Sequence, residues 1–359
     1  MTNRDRIVGT LSCLPVDRPP YGVGIGFAPW SETWQRWREE SGLEFLNVAD
    51  YFGFDAGFQI VPAEYGPLPR FEQEVLRENV DFVVSRDYRG IVMRNRRDLH
   101  SMPEFIQHPI RGWDDWRAYK EQRLQPRIER RLEAVGDFLA AAAGVDAPVQ
   151  VGAFPWGVFG TARDLMGAEE LLYALYDQPD LVQDIMTAYT DLWLAIYEAV
   201  AAMTRIDHIH IWEDMAGRQG SLISMEMVER FMMPQYDRIA DFARRHGVPL
   251  VSVDSDGLVD ELVEVMVRHG VNVYFPFEVA AGNDIEQFRR LHPKLGIWGG
   301  LDKRALAAGG EALHRELDRA ERMLACGGYI PGCDHLIPPD VSWANWKYFC
   351  EHLRKLCGA

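Results

Sequence analysis

The chain has 359 residues, 47% hydrophobic and 26% charged, a balance ordinary for a soluble globular protein with a sizeable core. Its 38 Lys and Arg against 54 Asp and Glu leave a formal net charge of -16, which repels nucleic acid and anionic membranes. The opening MTNRDRIVGT has no apolar core of signal-peptide length, no stretch is long enough to span a bilayer, and the five cysteines form no CxxC pair, so a cytoplasmic protein with reduced thiols is expected.

In chain order, residues 4–20 predict a short helix closed by the turn Asp17-Arg18-Pro19-Pro20, followed by strands over 21–27 and 54–61. Two alternating runs at 81–85 and 91–94 flank a polar, Gly-containing turn and predict a hairpin outside the main fold. Residues 112–143 are charged and helical, with Trp113, Trp116 and Leu124 on one face. A βα rhythm then sets in, with a strand over 148–154, a helix containing Leu165 and Met166, and two helices over 168–204 split near Gln178-Pro179-Asp180. Ser224 is a candidate helix cap.

Four times thereafter a short apolar run meets a carboxylate and a turn. Residues 206–212 lead into Glu213-Asp214, 249–253 into Asp254-Ser255-Asp256-Gly257, 271–277 into Glu278, and 295–301 into Asp302; a fifth run, 328–331, leads into Cys333-Asp334-His335. With the two early strands this makes about eight, the number a closed (β/α)8 TIM barrel requires, as one domain over residues 1–359 with an N-terminal helical and hairpin elaboration. Ligands gather at the carboxyl ends of such strands, so Asp214, Asp254, Glu278, Asp302 and His335 are expected on one face.

Asp254 and Asp256, at i and i+2, project the same way from a strand and repel unless a cation or a shared proton separates them. A divalent-metal site, an acid–base pair and, for Asp256, a helix cap are all open readings. His208, His210, Trp212 and Asp214 alternate along one strand, where a hydrogen-bonded core role is the commoner outcome for His208. Glu213 points the other way, toward a structural ion pair. Cys333, Asp334 and His335 offer a thiol, a carboxylate and an imidazole at the last strand end, though packing explains a buried cysteine equally well. Asp340 and Ser342 compete to cap the last helix. Trp30, Trp156, Trp212 and Trp298 lie near strand ends and could wall an apolar or aromatic ligand. No GxGxxG, P-loop, HExxH or GxSxG is present, which removes support for a nucleotide cofactor.

The stretches IHIWEDMAGRQGSLIS, VPLVSVDSDG, GIWGGLDKRAL and GGYIPGCDHLIPPDVSWANW, together with the opening RDRIVGTLSCLPVDRPP, resemble the uroporphyrinogen decarboxylase superfamily. That resemblance implies a (β/α)8 barrel and, as activities, porphyrinogen decarboxylation or zinc-dependent methyl transfer to corrinoid proteins or thiols. The decarboxylases open with an arginine-rich RQAGRY segment, whereas residues 24–30 here contain no arginine. The methyltransferases carry His-x-Cys-Gly and a later cysteine as zinc ligands. Here Asp254-Ser255-Asp256-Gly257 stands in the first place and Cys333 or Asp334 in the second, a carboxylate-rich set suited to harder metals.

The expected function is therefore methyl transfer from a small O- or N-methyl substrate, neutral or cationic, probed by Trp30, Trp156, His210, Trp212 and Glu278. A divalent metal, zinc in the family's methyltransferases, would sit on Asp254, Asp256, Cys333 and Asp334, with His335, Asp214 and Asp256 as the catalytic groups. A separate corrinoid protein would take the methyl group, since this chain has no cobalamin module of its own. The alternatives are a metal-free decarboxylase or lyase acting on a small substrate through Asp214, Asp256 and His335, and a binding protein that has lost catalysis.

Overall fold

The computed structural model describes residues 1–24, 29–43, 47–97 and 102–359. Its strands in chain order are β1 Gln59–Ile60, β2 Glu74–Glu78, β3 Phe82–Arg86, β4 Val92–Arg96, β5 Glu104–Gln107, β6 Val149–Val151, β7 His208–Trp212, β8 Ala216–Gly217, β9 Gly220–Ser221, β10 Leu250–Asp254, β11 Val273–Phe275, β12 Gly296–Trp298 and β13 Tyr329–Ile330. Among the described residues, seven of these form one parallel sheet in the order β1-β6-β7-β10-β11-β12-β13. The sheet curls: Phe58, just before β1, and Trp298, ending β12, lie far apart in that order yet their rings approach to 5.5 Å.

Alternation along the strands sorts side chains between the two faces. Ile209, Ile211, Val251 and Val253 join the large core under the surrounding helices, of which Pro179–Ala201 is the longest. Leu250, Val273 and Ile330 face into the curl, where they meet Val23 and the helix Asn3–Leu11 through Ile7 and Leu11. That helix stops at Leu11 rather than running to residue 20, because Cys13 takes a positive φ of 55° and Pro15 follows. Arg4 pairs with Asp207 at 2.8 Å, immediately before β7, and so fixes the helix at the amino ends of the strands.

The predicted hairpin is β3–β4, and it belongs to a separate antiparallel sheet, β2-β3-β4-β5. The flanking strands escaped notice because EVLRE and EFIQ are short, exposed and half polar. The expected strand over 21–27 runs onto residues 25–28, outside the described residues; Tyr21–Gly24 form a turn whose Val23 carbonyl accepts the indole N–H of Trp298. Helices Trp113–Arg123, Ile128–Arg131 and Val135–Ala142 break up the single helical stretch expected there. Among the described residues no helix is long and apolar enough to cross a membrane.

Candidate functional site

Rings line the curl in a closed circuit. Centroid distances run 4.4 Å from Phe58 to His208, 6.1 Å to His210, 5.4 Å to Phe275, 4.7 Å to Trp298, and 5.5 Å back to Phe58. Below this circuit lies the apolar layer of Leu250, Val273 and Ile330; above it β10 ends in Asp254, and other acids follow in the turns after the strands.

At the carboxyl ends, three ligand-bearing side chains converge. Oxygens of Asp256 and Glu278 and a ring nitrogen of His335 lie within 4.8 Å of one another, and His335 Nε2 is 3.1 Å from Asp256 Oδ2. Each has a local reason for its aim. Asp256 sits in the turn beyond β10. Glu278 follows Phe277, a bulky residue at φ 62°, held in that strained conformation by packing on Phe288 and Tyr274. The Glu278 carboxylate is steadied by the Gly257 N–H at 3.1 Å and faces Lys303 Nζ at 3.4 Å. Burial works to lower the basicity of His335, but hydrogen bonding to Asp256 and the charge of that carboxylate outweigh it and raise it above the ordinary imidazole value. A cavity of about 400 Å³ opens beside the cluster, lined by Ala216, Gly217, Arg218, Asp256, Glu278 and Arg304 among others.

The other expected residues are distributed around this mouth. Asp254 ends β10 partly buried; burial, then the charges of Asp256 and Asp214, push its carboxyl well above the usual range. Asp214, at φ 43°, pairs with Arg163 at 2.9 Å, and burial lifts it above the usual range against the pull of Arg163. The Arg163 guanidinium also covers the Trp212 ring at 4.9 Å. His210 faces the interior. Trp30 lies beside the segment after His335, its N–H bonded to the Ile337 carbonyl. Trp156 stacks on Tyr189 of the helical layer, and its carbonyl accepts the Trp212 N–H at 3.0 Å.

Of the four expected metal ligands only Asp256 is in the converging set; Asp254, described above, is outside it, and so are Cys333 and Asp334. Cys333 is 0% exposed and packs into the core under the helices, where burial raises its thiol well above the usual range. Asp334, also enclosed, accepts the N–H groups of Val279 at 2.9 Å and Lys303 at 3.1 Å and pairs with Lys303 Nζ at 3.7 Å. Asp302 caps the helix Lys303–Ala308 and pairs with Arg304. Glu213 makes no ion pair of the kind expected; it accepts N–H groups of Val158, Phe159 and Gly160 at the start of Val158–Met166, and the Tyr236 hydroxyl. Ser342, rather than Asp340, caps the last helix.

Sequence reasoning passed over Lys303, Arg163, Gln150 and Ser252. Lys303 follows the strand-then-acid signal at Asp302 and could have been found from it. Arg163 lies inside a helix, where nothing marks it.

Residues 59–356 match the family model described as Uroporphyrinogen decarboxylase (URO-D). The chain belongs to this family. A search of curated proteins finds no match. Among solved structures, a methyltransferase from Methanosarcina mazei is similar, with a TM-score of 0.59 over 99% of this chain and 99% of that one, at 18% sequence identity. At that identity the likeness is one of fold. The URO-D membership accounts for the parallel βα architecture and puts the converging acids at the strand ends where such folds bind ligands.

Proposed function

We propose that this URO-D family member is a cytoplasmic methyltransferase, its curled sheet the greater part of a closed (β/α)8 barrel, that takes a methyl group from a small neutral or cationic substrate and passes it to a separate corrinoid protein. One observation carries the reading: Asp256, Glu278 and His335 bring two carboxylate oxygens and an imidazole nitrogen together at the mouth. Metal–ligand bonds of about 2.1 Å put ligand atoms about 3–4 Å apart, so this set needs only a small closure to hold a divalent ion. The oxygen-rich donors suit a harder metal than a thiolate site would. The proposed ligand set is therefore Asp256, Glu278 and His335, keeping Asp256 but replacing the expected Asp254, Cys333 and Asp334. The fold shared with a named methyltransferase is consistent with this reading.

A bound ion would polarise the methyl-bearing oxygen or nitrogen. Glu278 is oriented for its part by Gly257 and Lys303. Asp254, whose surroundings favour the protonated acid, holds a proton for the departing heteroatom, which keeps the bonding pair as the methyl carbon moves to the acceptor. Elemental analysis of protein purified without chelator should find about one equivalent of divalent metal. The metal should be lost in Glu278→Gln and kept in Cys333→Ala; the reverse pattern would return the site to a thiolate.

A second reading, a metal-free decarboxylase or lyase, is favoured by the His335–Asp256 hydrogen bond, which makes His335 an acid already poised beside Asp214 and Asp256. Full turnover of metal-free protein would select it.

A further inference from the structure

Four buried side chains inside the curl leave one consistent placement of hydrogens while the imidazoles are neutral. Gln150 donates its Nε2–H to the Gly152 carbonyl at 3.0 Å, which turns Oε1 toward His208 Nδ1, also at 3.0 Å. An amide oxygen only accepts, so His208 Nδ1 carries the proton. His208 Nε2 is then a lone pair, and Ser252 Oγ, 2.6 Å away, must donate to it. With its single hydrogen used, Ser252 Oγ can only accept from His210 Nδ1 at 3.2 Å. His210 Nε2 is therefore left unprotonated, and it has no hydrogen-bond partner among the described residues. Burial favours the neutral ring in both cases, holding His210 to about 4.

We propose that His210 Nε2 receives a hydrogen bond from a neutral hydroxyl or N–H of the substrate, and that Gln150, His208 and Ser252 act together as positioning residues that keep this nitrogen bare. Phe275, stacked on the His210 ring at 5.4 Å, and Trp298 beyond it supply flat apolar walls for the group that bears the donor. A carboxylate end is repelled by the lone pair. The inference stands whether or not a metal occupies the mouth.

The test reads nitrogen protonation directly, without turnover. In the full chain labelled with ¹⁵N-histidine, long-range ¹H–¹⁵N spectra at pH 7 should show His208 and His210 both neutral, each with a protonated Nδ1 and a bare Nε2. Gln150→Leu removes the acceptor at the far end of the chain and should move His210 toward the Nε2–H form, although it does not touch that residue. Adding Ser252→Ala should abolish this remote effect. A wild-type His210 protonated at Nε2 overturns the proposal even if the variants fail to fold, as does a Gln150→Leu protein with His210 unchanged. Titration with phenol should displace the His210 Nε2 signal saturably and toluene should not. An equal response to both, or to neither, removes the donor recognition.

Discussion

Glu213 places a carboxylate in the core with no ion pair to it among the described residues, and three backbone N–H groups and a tyrosine hydroxyl answer it instead. Removing such an acceptor strands buried donors, each costing about 1–3 kcal/mol. Glu213→Ala is therefore expected to lose about 3 kcal/mol or more in urea denaturation, and Tyr236→Phe about 1 kcal/mol, since it removes a single bond and strands only an acceptor. A milder effect for Glu213→Ala than for Tyr236→Phe would refute this account of the carboxylate. His210 yields a prediction with pH. Its folded value of about 4 lies below the unfolded value of about 6.5, so the unfolded chain binds more protons between those limits, and stability is lost as pH falls from about 6.5 toward 4. The maximum contribution is about 3 kcal/mol. His210→Gln should flatten the acid limb of a stability–pH profile; an unchanged slope would mean that the ring is not desolvated.

The junction between β7 and the helix Val158–Met166 shows how an element is set by a close approach. A Cβ on Gly157 would come within 1.8 Å of the Trp212 carbonyl oxygen, whereas one on Gly136, inside Val135–Ala142, would meet nothing within 4 Å. The same substitution should thus act in opposite directions: Gly157→Ala destabilises by about 1–3 kcal/mol, and Gly136→Ala stabilises by about 0.5–1 kcal/mol through helix propensity. Calorimetry of the two variants decides it. At this scale much of the fold was legible, because apolar runs ending in acids carry both the strand period and the βα connection. Which acid faces the mouth was less so. Alternation is reliable only inside a strand, and the turn beyond β10 resets it, so that Asp256 meets His335. Cys333, Asp334 and His335 are consecutive yet go to the core, to two backbone N–H groups and to the mouth. That Glu278 converges with Asp256 and His335 was invisible because these neighbours lie 22 residues back and 57 ahead in the sequence. Gln150 and Ser252 looked like filler until the register of β6, β7 and β10 set them beside the two histidines.

Along the axis of the curl the molecule is stacked: the helix Asn3–Leu11, an apolar layer, the circuit of rings, and the converging acids. Stability and chemistry are thereby assigned to opposite ends. Exchanging Leu11 for Ala should lower stability by about 2–5 kcal/mol and, under the proposed metal site, leave metal content per folded protein unchanged. A loss of metal at equal folded fraction would show that the two ends are coupled. The plug formed by Ile7 and Leu11 has a consequence for traffic. Among the described residues the floor of the curl is filled and the acids stand at its other end, so under the proposed reaction a donor seated among the rings would arrive before a partner docked over Asp256 and Glu278, and its demethylated remnant would leave after that partner. Under the proposed reaction, steady-state kinetics should show compulsory order, with the small molecule first in and last out. An excess of the macromolecular acceptor should slow turnover by standing in the doorway of the empty enzyme.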